Sequence, residues 1–129
     1  MFLSSPFSGS TIGNLDEVSV CGNGPEQGFR YDLGPGERIS IQQSNTFDSK
    51  HTLRYGGAYP GDTEVKCAYY YYDDPEMAYW NSGNVTVPVY FIVDGHYSSE
   101  GGFVLEWTVD TPGSFSCGVS CLLTGPSPL

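Results

Sequence analysis

Two long apolar segments near the end of the chain constrain its fold more than any other feature. Residues 89–95 read VYFIVDG and residues 103–109 read FVLEWTV, with a short polar turn of seven residues between them. Aromatic and β-branched residues in runs of this length, bounded by turn residues, indicate buried strands. The pattern therefore predicts two consecutive strands of an antiparallel β-sandwich. Residues of like parity share one face of a strand, and the expected core residues are Phe91, Val93, Phe103, Leu105 and Trp107.

Glycine and proline interrupt the rest of the chain, with 17 Gly and 9 Pro among 129 residues. Alternating aromatic and β-branched residues between such interruptions favour an all-β fold, and the length fits one domain. The most helix-like stretch, residues 74–80, is too short to stand as an isolated helix. We predict a linker at residues 1–10, a β-sandwich domain at residues 11–110 and a Ser/Gly/Pro-rich tail at residues 111–129.

Further strands are predicted where apolar and polar residues alternate. Residues 27–33 and 38–43 both alternate in this way, and a Gly-Pro-Gly-Glu turn separates them, so we expect a hairpin of a half-buried antiparallel sheet. Residues 16–21 also alternate and are predicted as a short strand. Pro88 predicts that its stretch lies at a sheet edge or breaks into two strands. Other expected strands are residues 51–55 and 64–72.

The chain is strongly acidic, with 5 Lys and Arg against 15 Asp and Glu and a formal net charge of −10. Such a surface repels phosphate backbones and anionic membranes, so we expect no nucleic-acid partner and no membrane insertion. His51 and His96 lie far apart, with no nucleophile at a readable spacing, and no serine lies in a G-x-S-x-G motif. The sequence therefore predicts that the protein is not an enzyme.

The cysteines are Cys21, Cys67, Cys117 and Cys121, and four cysteines allow three pairings. They form no CxxC pair of the kind that binds zinc. Their even number therefore indicates disulfides, which form in an oxidising compartment. We predict Cys21–Cys67 within the folded body and Cys117–Cys121 within the tail. A cross-link from the tail to the body or to another chain stays open. The sequon at Asn84 is a second indication of secretion and predicts a glycosylation site.

The order of these signals carries a family resemblance. The segment EVKC at residues 64–67 precedes an acidic pair, and residues 89–95 precede GGFVLEW at residues 101–107. Over about residues 11–109 the chain resembles the bacterial pre-peptidase C-terminal domain. The resemblance implies a jelly-roll β-sandwich of the kind appended to secreted proteases and other exported proteins.

Two site expectations follow from the resemblance. The family often has a second cysteine near residues 59–61, and its absence here leaves Cys67 to pair with Cys21. Some relatives, including collagen-binding modules of secreted collagenases, bind calcium through acidic loops near the domain start. Asp16 and Glu17 stand at that place in this chain.

A metal site is also indicated by other acidic residues. Asp73 and Asp74, together with Asp48, are hard oxygen ligands of the kind that Ca²⁺ binds in sets of six to eight. The alternative interpretation is a turn before Pro75 that uses the same aspartates. Ca²⁺ is the one cofactor that the sequence suggests.

Aromatic residues suggest a contact surface. Four consecutive tyrosines at residues 69–72 alternate between the two faces of a strand. Outward rings of Tyr70 and Tyr72, with Tyr79 and Trp80, would stack on sugar rings or proline-rich partners. The alternative is that these rings cover a sheet edge and pack in the core.

Two functions are therefore expected for a secreted, non-catalytic module. The first is a structural repeat of an extracellular fibre, surface appendage or adhesive protein, in contact with copies of itself through residues 1–10 and 111–129. The second is an accessory module of a secreted hydrolase, which binds a polysaccharide or a protein.

Overall fold

The computed structural model describes residues 4–69 and 76–111, and this part of the chain is all-β. Its strands form two four-stranded antiparallel sheets, with the orders β1-β8-β3-β6 and β2-β7-β4-β5. The predicted antiparallel β-sandwich is confirmed. The described residues include no helix that is long and apolar enough to cross a membrane. The strands are β1 Phe7–Ser10, β2 Gln27–Leu33, β3 Arg38–Asn45, β4 Ser49–Tyr55, β5 Thr63–Tyr69, β6 Glu76–Trp80, β7 Val87–Gly95 and β8 Gly102–Asp110.

The chain changes sheet at every connection except the one between β4 and β5. Each sheet has an apolar inner face, and the two sheets bury these faces by packing against each other. The alternation places the first and last strands side by side, since β1 pairs with β8. This strand order is that of a jelly roll.

The core between the sheets includes four of the five residues that the sequence predicts in β7 and β8. Phe91, Val93, Phe103 and Leu105 are at most 3% exposed. Trp107 is only partly buried and packs against the edge of the core. The consecutive strands β7 and β8 lie in different sheets, so the polar turn between them crosses one end of the sandwich.

Residues 7–10 form strand β1, although the sequence predicts a linker there. Phe7 packs edge-on against Phe29 of β2, with ring centroids 5.6 Å apart, and lies 6.4 Å from the ring of Phe103. The Ser/Gly-rich composition of residues 1–10 conceals this strand, because a single aromatic side chain holds it to the core.

The predicted hairpin of β2 and β3 is wrong, because the two strands lie in different sheets. β2 pairs with β7, whereas β3 pairs with β6 and β8. The inward and outward alternation of both strands agrees with the prediction. Alternation identifies the buried face of a strand, but it does not identify the neighbouring strand.

Pro88 lies inside a central strand rather than at a sheet edge, because β7 runs between β2 and β4. The carbonyl of Pro88 accepts a hydrogen bond of 2.9 Å from the Gly56 N–H. The nitrogen of a strand residue points to the same side as its carbonyl. The proline nitrogen therefore faces the position just beyond Tyr55, where β4 ends. The missing N–H falls at the end of the ladder, where it breaks no strand pairing.

Two stretches differ from their sequence patterns. Residues 16–21 alternate but form a loop. Residues 76–80, from the most helix-like stretch, form β6 and pair with the free edge of β3. In both cases tertiary hydrogen bonds decide the conformation of a short segment whose local preference is weak.

Candidate functional site

Two connections lie over parts of the outer face of the β2-β7-β4-β5 sheet. Tyr90 and Ile92 of β7 point to this face, opposite the core residues, yet they are 2% and 0% exposed. The connection between β1 and β2, residues 11–26, covers one part of the face. The loop between β4 and β5, residues 56–62, covers another part.

The β1–β2 connection is held to the sheet by a disulfide. Cys21 of the connection bonds to Cys67 of β5, with the Cα atoms 5.8 Å apart, which confirms the predicted pairing. The Asn23 N–H donates to the Gly95 carbonyl at 3.2 Å, beside the end of β7. A disulfide fits an extracellular protein, since thiols stay reduced in most cytosols.

Glu26 joins the two connections through its buried carboxylate, which is 7% exposed with the rest of its residue. Its Oε1 accepts hydrogen bonds from the backbone N–H groups of Glu17 and Val18, at 2.7 and 2.6 Å. Its Oε2 accepts a hydrogen bond of 2.7 Å from the Tyr59 hydroxyl. These bonds consume the N–H groups of residues 17 and 18, and the alternating segment 16–21 is thereby held as a loop.

The ring of Tyr59 has a fixed position over β2. Its hydroxyl is anchored on Glu26, and its edge packs on the Tyr90 ring at 5.7 Å between centroids. Gly28 lies beneath it, and a Cβ there would come within 2.5 Å of the ring. Burial and the neighbouring Glu26 carboxylate raise the pKa of the Tyr59 phenol, so it stays a hydrogen-bond donor. The residue is nevertheless 38% exposed.

An open cleft lies between the two connections, with a volume of about 710 Å³. Its aromatic lining comes from Tyr59, Tyr90 and Phe29, of which Tyr90 is almost fully buried, and its lining residue Leu15 is 72% exposed. Its polar lining comes from Asn14, Glu17, Glu26, Gln27 and Arg30. The cleft therefore combines a fixed aromatic ring with several side chains able to donate or accept hydrogen bonds.

Beside the cleft, three carboxylates converge at the end of β7. Ligand atoms of Asp16, Glu26 and Asp94 all lie within 4.8 Å of one another. Asp94 is 1% exposed, and its Oδ1 accepts hydrogen bonds from the N–H groups of Gly24 and Gly95, at 3.0 and 2.7 Å. Its Oδ2 is buried and accepts no hydrogen bond from the described residues. Burial raises the pKa of Asp94 to about 6. The hydrogen bonds from the two backbone N–H groups lower this pKa, whereas the charges of Glu26 and Asp16 raise it further.

This pKa predicts an inverted pH dependence in metal-free buffer. Folded Asp94 binds a proton below about pH 6, whereas the unfolded chain binds it only below the ordinary value of 3.8. Between these values the folded state holds the extra proton, so stability falls as the pH rises through this window. The contribution of Asp94 should fall by about 3 kcal/mol. The free energy of unfolding in urea is measured at several pH values for wild type and for Asp94→Asn. The difference between the two proteins isolates this contribution. A difference that stays flat across the window would contradict the prediction.

Of the acidic residues that the sequence suggests as metal ligands, Asp16 belongs to the acidic cluster, whereas Asp48 does not. Asp48 lies at another loop, where its Oδ2 is 3.1 Å from His96 Nδ1, and the Tyr69 hydroxyl is 2.6 Å from the same nitrogen. Burial raises the pKa of Asp48, but hydrogen bonds from Tyr69 and His96 outweigh it and leave the pKa lowered. Asp73 and Asp74 lie outside the described residues.

The predicted aromatic contact surface is divided. Tyr79 faces inward and stacks on Tyr55 across the sandwich, with ring centroids 4.4 Å apart. Trp80, the next residue of β6, is 53% exposed. Because neighbouring residues of a strand point to opposite faces, Tyr79 and Trp80 share no surface. The remaining members, Tyr70 and Tyr72, lie outside the described residues, as do Cys117 and Cys121.

Asn84, the predicted glycosylation site, is exposed in the turn between β6 and β7. Glu26 and Tyr59, which build the cleft, are not marked as functional residues by the sequence pattern. The Asp-Gly pair at residues 94–95 allows a metal ligand, but it indicates a turn first. The available signal was an Asp at the end of the most apolar strand, where an acidic residue is costly to bury.

No known family model, curated protein or solved structure matches this chain.

Proposed function

We propose that this chain is a secreted, non-catalytic β-sandwich module that binds a neutral carbohydrate in the cleft beside Tyr59. The observation that carries the proposal is the fixed position of the Tyr59 ring, which remains 38% exposed inside an open cleft. A ring that is already held by Glu26, Tyr90 and Gly28 loses little conformational freedom when a ligand binds.

The chemistry of the cleft suits a sugar. Sugar rings present apolar C–H faces and hydroxyl edges, and a flat amphipathic tyrosine ring packs on such faces. The amides of Asn14 and Gln27 and the guanidinium of Arg30 line the same cleft and can pair with hydroxyl groups. A volume of about 710 Å³ lies within the usual range of ligand sites. The net charge of −10 disfavours an acidic polysaccharide and supports a neutral one.

The Cys21–Cys67 disulfide supports secretion. The other expected function, a repeat of an extracellular fibre, depends on residues 1–10 and 111–129. Residues 7–10 already pair with β8 within the chain, and residues 112–129 lie outside the described part. The fibre repeat therefore stays a prediction, and the cleft favours the binding module.

Replacement of Tyr59 should weaken carbohydrate binding. Tyr59→Ala removes the ring that a sugar would stack on, and we expect about a tenfold loss of affinity for the best-bound glycan. Tyr59→Phe keeps the ring and loses only the hydroxyl bond to Glu26, so it should retain most of the affinity. Affinity electrophoresis against soluble neutral glucans, xylans and mannans identifies a ligand, and calorimetry with its oligosaccharides measures the loss.

Two exposed aromatic residues outside the cleft serve as controls. Tyr97→Ala, at a residue 69% exposed in the turn between β7 and β8, should leave binding unchanged. Trp80→Ala tests the edge of β6. Loss of binding in Trp80→Ala with full binding in Tyr59→Ala would move the site to that edge and contradict the proposal. The proposal would also be contradicted if no neutral glycan slowed the migration of the wild-type protein in affinity electrophoresis.

A further inference from the structure

The buried Asp94 carboxylate lacks half of the partners that its burial requires. Its Oδ1 accepts two backbone hydrogen bonds, but its Oδ2, in a residue that is 1% exposed, accepts none from the described residues. Buried polar atoms are nearly always paired, because an unpaired one forfeits its hydration without compensation. The unpaired Asp94 Oδ2 is therefore available to a further partner.

The surroundings of Asp94 define the charge of that ligand. Carboxylate oxygens of Asp16 and Glu26 lie within 4.8 Å of the Asp94 carboxylate. Like charges at such distances disfavour each other. In the described ranges, no ion pair includes any of the three carboxylates. A cation bound between these carboxylates would relieve the repulsion.

We propose that Asp16, Glu26 and Asp94 bind a calcium ion. All three donors are oxygens, which hard cations prefer, and the cluster contains no imidazole or thiolate that would favour zinc. Ca²⁺ accepts irregular sets of six to eight oxygens, and water completes such sets. Asp16 is exposed, so the site is open to solvent on one side. Asp94 closes it on the protein side.

The structure also shows how the ion would be held rigidly. A carboxylate has about four acceptor sites, and the Glu26 carboxylate uses three of them for Glu17, Val18 and Tyr59. One acceptor site remains for the ion. Gly22 lies directly against Asp94, where a Cβ would come within 2.6 Å of the Asp94 Cγ, so the connection approaches the carboxylate closely. Bound calcium would thus fasten the connection between β1 and β2 to the end of β7.

Thermal unfolding of the full chain in EDTA and in CaCl₂ up to about 10 mM tests the site, since extracellular calcium sites often have dissociation constants of about 0.1–1 mM. We expect calcium to raise the melting temperature of the wild type by about 5 °C or more. Asp16→Asn and Asp94→Asn should each abolish most of this rise. Glu106→Gln, an exposed carboxylate on β8 of the other sheet, loses the same charge and should keep the full rise.

Asp94→Asn has a second, opposite signature. The substitution removes a buried charge that lies beside the like charges of Asp16 and Glu26. In EDTA at neutral pH the variant should therefore melt at a higher temperature than the wild type. Asp16 is exposed, so Asp16→Asn tests the calcium site if Asp94→Asn does not fold. Direct binding is measured by calorimetric titration of the EDTA-treated protein with CaCl₂, and MgCl₂ is the comparison.

The possible outcomes separate clearly. Calcium binding that both Asn variants lose and Glu106→Gln keeps supports the site. No calcium effect up to about 10 mM, or an equal effect in Asp94→Asn, overturns it. An equal response to magnesium overturns the assignment to calcium. None of these results depends on carbohydrate binding, so the cleft and the cation site are tested separately.

Discussion

Removal of the Cys21–Cys67 disulfide by Cys21→Ser and Cys67→Ser together is expected to lower the free energy of unfolding by about 4 kcal/mol. The bridge joins residues 46 positions apart, and a closed loop of this length removes much conformational entropy from the unfolded chain. Urea unfolding of wild type and double variant, at neutral pH and without reductant, measures the loss. A loss below about 1 kcal/mol would contradict the chain-entropy account.

The same variant also reports on the site. Cys21 lies in the connection that carries Asp16 and Glu26, whereas the core strands do not need the bridge for their pairing. The folded double variant should therefore keep its strand signature in circular dichroism and bind calcium more weakly. An unchanged calcium affinity would show that the hydrogen bonds of Glu26 alone hold the connection.

Leu105→Ala is expected to cost about 2–5 kcal/mol of stability, because it removes methyl groups from a core that can only partly collapse around the cavity. Leu105 of β8 is 2% exposed and belongs to the core cluster, and it lies opposite Phe7 of β1 and Gln43 of β3 in the strand register. The measurement is again the free energy of unfolding in urea.

Val104→Ala is the matched control, because Val104 is the neighbouring residue of β8 on the opposite, partly exposed face. Its cost should be clearly smaller than that of Leu105→Ala. Equal losses at the two positions would mean that β8 has no single buried face, which would contradict its place in the sandwich.

The class of fold and the content of the core were readable from the sequence for a local reason. Apolar runs bounded by turn residues indicate buried strands, and residues of like parity share one face, so Phe91, Val93, Phe103 and Leu105 were predicted as core residues. The same reasoning gave the inward faces of β2 and β3. It failed for β1, whose four residues contain one aromatic side chain and no repeated pattern.

The candidate site was less readable, because its residues are distant in the sequence and meet only in the folded chain. Glu26 and Asp94 are 68 positions apart, and Tyr59 comes from a third element. Of the acidic residues that the sequence suggested, Asp16 joins the cluster and Asp48 lies at another loop. Asp73 and Asp74 lie outside the described residues. Glu26 joins Asp94 because the connection between β1 and β2 lies against the end of β7.

The sequence by itself determined an all-β sandwich and most of its buried faces, since both depend on side-chain pattern. It predicted the Cys21–Cys67 pair as one of three possible pairings, and the fold confirmed that pair. Only the tertiary structure decided which strands are neighbours, because antiparallel strands with one apolar face fit several orders equally well. It also decided the partners of Glu26 and the burial of Asp94. Those depend on how two connections fold back over a sheet, and hydrogen bonds between residues distant in sequence fix that path.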